Sequence, residues 1–291
     1  GTIGARLGEH TVEITTYRAD AYSPDSRKPE VAFGDTLEGD LIRRDFTINA
    51  MALRLPGRTL VDPSGGLDDL FARRLMTPGS PDDSFGDDPL RMLRAARFAA
   101  QLEVDLDPAV IEAMERMRDR LSIISAERVR DELVKLLSTA DPRRGLALLV
   151  DTGLAELVLP ELPALRLEVD EHAHHKDVYE HSLTVLEQAI ELEAARTPEA
   201  APDVVLRLAA LLHDIGKPAT KRVEPGGAVT FHHHDVVGAK LALPSPRRRP
   251  PRPPRQRSSR GRRDHHHRCR QPHCRPRAAV HAERTRRREL H

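Results

Sequence analysis

The sequence predicts an α+β protein that is mostly α, and three observations carry that expectation. Residues 1–62 read as strands and turns, and Thr11-Val12-Glu13-Ile14-Thr15-Thr16-Tyr17-Arg18 has the composition and alternation of a strand. From about Ser80 to Leu165 apolar residues recur at helical spacing. Val204 to Leu212 is an apolar helix that stops at Gly216 and Pro218, both good helix-end signals.

After the strand comes a loop rich in Asp, Ser, Pro and Lys, from Asp20 to Glu30. An apolar stretch, Phe46 to Leu55, and a turn at Asp62 to Gly66 follow. Gly65-Gly66 entering a helix is a weak signal alone and is read as conformational, not catalytic. Helices are expected over Asp88–Leu102, Pro108–Leu121, Ala126–Thr139 and Pro142–Thr152. Pro89 behind two aspartates marks the start of the first, with Asp88 as N-cap. Ser125-Ala126-Glu127-Arg128 opens the third, whose apolar side holds Leu133, Leu136 and Leu137. Arg128, Glu132 and Lys135 are then scaffold residues that buttress the helix at Asp88.

The chain carries 46 Lys+Arg against 45 Asp+Glu, a net charge of +1 that hides a division. From Leu243 to His291 there are 17 Arg, no Lys and 3 acidic residues, leaving 29 basic and 42 acidic residues in 1–242. The body is acidic, so a nucleic-acid surface on it has to be a local basic patch. Aromatics are 3% and Trp is absent, so the core is built from Leu, Val, Ala and Ile. No run approaches the roughly 18 apolar residues of a membrane span, and no signal peptide is visible. Both cysteines, Cys269 and Cys274, lie in the Arg-rich end, so the body has no disulfide and a cytoplasmic location is the default.

The stretch that carries chemistry is Asp87-Asp88-Pro89-Leu90-Arg91-Met92-Leu93-Arg94-Ala95-Ala96-Arg97-Phe98. Asp88, Arg91, Arg94 and Arg97 recur every third residue along one side of the helix, with Leu90, Leu93, Ala96 and Phe98 on an apolar side. Such a stripe is often a solvated face laced with ion pairs. A second reading rests on base edges. A carboxylate accepts hydrogen bonds and a guanidinium donates them. Cytosine and adenine present an amino donor beside a ring-nitrogen acceptor, so Asp88 with Arg91 suits them and mismatches guanine and uracil.

This stretch resembles the nucleotide-selecting motif of bacterial class II CCA-adding enzymes and their poly(A) polymerase relatives, with Asp87 where the family has Glu. The resemblance continues through Leu41-Ile42-Arg43-Arg44-Asp45-Phe46-Thr47-Ile48-Asn49-Ala50-Met51, through Asp62 to Leu70, and through Glu127 to Lys135. It implies a partial polymerase-β-like nucleotidyltransferase head at 1–75, a helical neck at 76–165 and an HD-type helical domain at 166–242, while residues 243–291 read from their Arg/Pro/His-rich composition as a disordered tail. The implied activity is addition of CCA to tRNA 3′ ends from CTP and ATP, with Mg²⁺ serving the transfer. Arg44 would face the phosphates, Asp45 and Asn49 the ribose hydroxyls, and Asp88 and Arg91 the base, with Arg94 a further nucleotide-binding residue. The family's Asp-x-Asp metal pair does not occur upstream of Arg43, so the resemblance implies an N-terminal truncation that leaves activity open. Glu13 is a candidate further carboxylate near the metals, or an edge-strand charge paired with Arg18 or Arg6. Poly(A) polymerase is the alternative function.

Residues 166–242 collect His174, His175, His181, His213, Asp214, His232, His233 and His234. Imidazole and carboxylate suit a transition metal or Mg²⁺. The arrangement resembles the HD phosphohydrolase superfamily, which implies a divalent metal on His181, His213, Asp214 and a histidine at 233 or 234, with His234 preferred. A metal-dependent phosphohydrolase is therefore a further alternative, and a purely structural helical module another. The tail has three readings: a basic RNA-binding arm, a small zinc site at His265–His267, Cys269, His273 and Cys274, or out-of-frame translation of GC-rich DNA. The last is preferred.

Overall fold

A computed structural model of the chain describes residues 2–21, 30–33, 36–166, 177–227 and 229–243. Within them no helix is long and apolar enough to cross a membrane. The strands are short, and among the described residues they form only two-stranded sheets. β1 (Thr2–Leu7) and β2 (His10–Thr15) make an antiparallel hairpin with Thr2 opposite Thr15. The single strand expected over 11–18 breaks after Thr15. β3 (Arg18–Ala21) starts a separate pairing with β4 (Glu30–Phe33).

α1 (Leu37–Ile42) is capped by Thr36, whose hydroxyl accepts the Gly39 N–H at 3.2 Å. A 3₁₀ turn at Thr47–Asn49 leads into the hairpin of β5 (Ala52–Arg54) and β6 (Thr59–Val61). α2 (Gly66–Phe71) follows Gly65, which takes the left-handed conformation at φ 72°. The Asp62 carboxylate accepts from the N–H of Gly66 at 2.8 Å and of Leu67 at 2.9 Å, satisfying first-turn donors. Slight burial raises the Asp62 carboxyl, but the backbone donors at Leu67 and Gly66 outweigh it and hold it below the usual value.

Gly66 is fixed by close approach. A Cβ there would lie 2.0 Å from the Thr47 carbonyl oxygen, on the turn that carries Asn49. Gly66→Ala is expected to cost about 1–3 kcal/mol of stability through overpacking. Gly79→Ala, where nothing lies within 4 Å of the added carbon, should leave the thermal midpoint unchanged. Equal melting of the two variants would remove this constraint from the account.

The helical part is assembled around α4 (Leu90–Leu102), which follows α3 (Pro81–Asp87). α4 begins two residues later than expected. Asp88 closes α3, and its Oδ1 still accepts the Leu90 N–H at 3.1 Å. β7 (Arg74–Leu75) and β8 (Asp105–Leu106) pair in parallel on either side in sequence of α3 and α4. α5 (Pro108–Met117) is shorter than expected because the chain tightens into a 3₁₀ turn over Arg118–Ile123. α6 (Ala126–Leu137), α7 (Arg143–Asp151) and α8 (Ala155–Val158) complete this part.

Met92, Ala95, Ala96 and Ala99 of α4 are wholly buried. Small residues on α4 let α7 come close. A Cβ on Gly145 would meet the Ala96 carbonyl oxygen at 2.6 Å and the Ala100 Cβ at 3.3 Å. A core poor in aromatics is thereby packed by closeness of backbones rather than by side-chain bulk.

α9 (Val178–Arg196) and α10 (Val204–Leu212) pack on each other, and the buried Arg207 ties them to α6. Its Nη1 donates to the carbonyls of Leu137 and Thr139, each at 2.7 Å, and its Nε donates to Glu193 at 2.8 Å. The last carbonyls of a helix lack partners within it, and this guanidinium supplies one. α11 (Lys217–Thr220), the hairpin of β9 (Arg222–Val223) and β10 (Val229–Thr230), and α12 (His234–Ala242) follow. The readings made for 244–291, and for His174 and His175, lie outside the described residues.

Candidate functional site

One cavity of about 510 Å³ is lined by Arg44, Asp45, Asn49, Asp88, Arg91, Arg94 and Phe98. It brings together all six residues that the sequence singled out for nucleotide contact. They reach it from three elements: the turn after α1, the junction of α3 and α4, and the outer face of α4.

Asp45 sits at the centre and is nearly buried. Its Oδ1 accepts the Phe46 N–H at 2.9 Å and the Asn49 amide at 3.2 Å. Its Oδ2 accepts from Arg94, at 2.8 Å from Nε and more closely from Nη2. Arg44 and Arg43 both reach the buried Asp40, at 3.2 and 2.7 Å. Half of the Arg44 side chain stays exposed at the mouth.

Arg91 is pinned by the Arg43 carbonyl at 2.8 Å and the Ser84 hydroxyl at 2.9 Å. Arg128, on α6, holds Asp88 Oδ2 at 2.7 Å, which gives the buttressing contact a specific form. Arg91 has five N–H groups and the Asp88 carboxylate about four acceptor positions, so both keep capacity for a ligand.

The expectation for Arg97 and Phe98 was reversed. A step of three residues drifts by about 60° around a helix, so the stripe from Asp88 does not stay on one face. Arg97 is buried and donates to Glu132 at 2.7 Å and to Gln101 at 2.6 Å. Phe98, seven residues after Arg91, returns to the cavity face. Its ring lies 4.0 Å from the Arg97 guanidinium carbon and 5.7 Å, edge-on, from Phe46. The seven-residue step from Arg91 was the signal that would have placed it.

Glu132 is buried among cations, with Lys135 at 2.9 Å and Arg94 Nη1 at 4.0 Å besides Arg97. Burial alone would raise its carboxyl, but hydrogen bonds from Lys135 and Arg97 outweigh this and hold it below the usual carboxylate range. Glu13 is exposed on β2, opposite Gly4, and Arg6 donates to the Gly8 carbonyl. It joins no metal-binding group among the described residues.

A second cluster forms where α10 ends. Ligand atoms of His181, His213 and Asp214 lie within 4.8 Å of one another. His213 and His234 each place Nδ1 2.9 Å from a backbone carbonyl, of Ala210 and Phe231, which turns Nε2 toward Asp214 at 3.1 and 3.5 Å. His233 caps α12 in the left-handed conformation, so His234 is the histidine that faces the carboxylate. Lys217 approaches Asp214 Oδ2 to 2.7 Å. A Cβ on Gly216 would fall 1.9 Å from the His234 carbonyl oxygen, so this glycine permits the approach of α12. The imidazole and carboxylate set fits a divalent first-row metal ion.

Comparison with known proteins follows this division of sites. The family model for the poly A polymerase head domain matches residues 1–76, that for the probable RNA- and SrmB-binding site of polymerase A matches 103–165, and the HD domain matches 178–289. An A-adding tRNA nucleotidyltransferase of Deinococcus radiodurans is 46% identical over 70% of this chain and 46% of its own length. A CCA-adding enzyme of Bacillus subtilis is 43% identical over 56% of this chain and 40% of its own. The chain thus spans less than half the length of these relatives.

Among solved structures, the CCA-adding enzyme of Bacillus stearothermophilus in complex with CTP superposes with a TM-score of 0.51 at 30% identity, over 75% of this chain and 48% of that one. A tRNA nucleotidyltransferase complexed with a primer tRNA and an incoming ATP analog does so at 0.53 and 26%, over 72% and 57%. Head, RNA-binding and HD matches in this order define a class, the HD-bearing nucleotidyltransferases of poly(A) polymerase type. The chain belongs to the bacterial CCA-adding tRNA nucleotidyltransferase and poly(A) polymerase family.

Proposed function

We propose that this chain binds CTP and ATP for untemplated addition of CCA to tRNA 3′ ends, with the cavity at Asp45 and α4 as the nucleotide pocket. The observation that carries this reading is the convergence of Arg44, Asp45, Asn49, Asp88, Arg91 and Arg94 on one cavity. Each has chemistry suited to one part of a nucleotide. Arg44 at the mouth matches a phosphate, and Asp45 with Asn49 suits ribose hydroxyls. Asp88 and Arg91, held in place by Arg128 and by Ser84 with the Arg43 carbonyl, accept and donate on one edge as cytosine and adenine require.

In this reading residues 1–75 form the head, 76–165 the neck and 166–242 the HD-type domain. The tRNA is gripped by backbone and shape rather than by sequence, and the site of action is the cytoplasm. Mg²⁺ in such transfers neutralises charge developing on the phosphates. Glu13 joins no such site among the described residues, and the cavity residues supply nucleotide binding and base choice.

The test is incorporation of labelled CTP and ATP into tRNA lacking CCA, with CC-ended tRNA in parallel. Addition of C and then A is the expected result. ATP addition to CC-ended tRNA alone would make the chain an A-adding enzyme. Extended A tails would make it a poly(A) polymerase, and binding without incorporation would leave a nucleotide-binding chain.

A second reading concerns the His181, His213 and Asp214 cluster with His234. These residues would hold a divalent metal, which when bound polarises a phosphoryl oxygen and lowers the pKa of bound water. A phosphomonoesterase assay with added Mn²⁺, Ni²⁺ or Mg²⁺ tests it, and activity unchanged by Asp214→Asn would refute it.

A further inference from the structure

We infer that Glu132 sets the preference of the pocket for ribonucleotides over deoxyribonucleotides, by serving as the second seat of Arg94; this rests on the nucleotide reading above. Asp45 is the carboxylate a ribose hydroxyl would meet. Its carboxylate has about four acceptor positions. All are taken: two by Phe46 N–H and Asn49, two by Arg94. A ribose 2′-OH can reach Asp45 only if one donor leaves. Phe46 N–H is backbone. Asn49 lies on the turn whose Thr47 carbonyl packs against Gly66. Arg94 is the donor with a second carboxylate within reach.

Where it goes is set by the surroundings. Arg94 Nη1 already lies 4.0 Å from Glu132 Oε1. Glu132 cannot come to meet it, because Arg97 holds Oε2 at 2.7 Å and Lys135 holds Oε1 at 2.9 Å. The guanidinium therefore swings from the carboxylate at residue 45 to the one at residue 132. It stays charge-paired throughout, and Asp45 is released to accept the hydroxyl. A 2′-deoxynucleotide asks nothing of Asp45 and leaves Arg94 where it is. Glu132 then is a positioning residue that acts through Arg94 and touches no ligand.

The experiment is equilibrium binding of CTP and 2′-deoxy-CTP to the full chain and its variants. In Glu132→Gln the second seat loses its charge, and the CTP to 2′-deoxy-CTP affinity ratio should fall about tenfold, with the deoxy ligand nearly unaffected. A merely structural role would weaken both ligands alike. Lys135→Met, at an exposed position, frees Glu132 Oε1 for Arg94 and should raise the ratio severalfold. This arm decides the matter if Glu132→Gln does not fold. In an Arg94→Met background Glu132→Gln should no longer change the ratio. Unchanged ratios in both Glu132→Gln and Lys135→Met would overturn the inference while CTP binding by the wild type stands. Wild-type chain that binds neither ligand would overturn the nucleotide reading and this inference with it.

Discussion

Arg207→Met will lower the stability of the chain by about 3 kcal/mol, because two buried carbonyls are left without a donor at a cost of about 1–3 kcal/mol each. Those carbonyls belong to Leu137 and Thr139, at the end of α6, and Arg207 meets both at 2.7 Å from α10. Glu193 loses a partner as well. Its carboxyl is held below the usual range first by the Asp203 backbone N–H and then by Arg207, so it keeps one of its two supports. For a chain of this size the loss corresponds to a fall of roughly 6–12 °C in thermal midpoint. Arg207→Lys should recover only part of it, since an ammonium cannot span two carbonyls and a carboxylate as a planar fork does. A midpoint for Arg207→Met within 2 °C of wild type would show that the α6 to α10 contact does not hold these helices together.

The second large effect concerns base choice. Asp88→Ala should reduce the preference for CTP and ATP over GTP and UTP by about tenfold or more, the weight of one well-formed base-edge contact. The substitution also removes an acceptor for the Leu90 N–H and the partner of Arg128, so a stability loss of about 1 kcal/mol accompanies it. Arg128→Met separates the two effects. It takes away the ion pair but leaves the carboxylate, and it should retain most of the selectivity. Selectivity that survives Asp88→Ala intact would remove Asp88 from base recognition.

Much of this arrangement was legible in the sequence, for identifiable physical reasons. Proline behind acidic residues fixes where α4 starts to within two residues, because it needs no N–H partner and its φ is already helical. The sequence also named the residues that meet in the cavity, through their order along several motifs. Side-chain direction was less legible. Arg97 and Phe98 exchanged their expected places because a three-residue step rotates off the face, while a seven-residue step returns to it. Glu132 read as scaffold, since nothing in a sequence says that a carboxylate 38 positions after Arg94 comes within 4.0 Å of it. The choice between His233 and His234 turned on backbone conformation. His233 takes a positive φ of 62° as helix cap, and the next residue turns inward.

If the cavity at Asp45 is a nucleotide pocket that reads one base edge, its affinities for the four ribonucleotides must differ. The most direct measurement is a calorimetric titration of the wild-type chain with CTP, ATP, GTP and UTP under one set of conditions. CTP and ATP should bind, with GTP and UTP weaker by about tenfold or more. Four equal affinities would contradict base reading by Asp88 and Arg91, and binding of none would contradict the pocket itself.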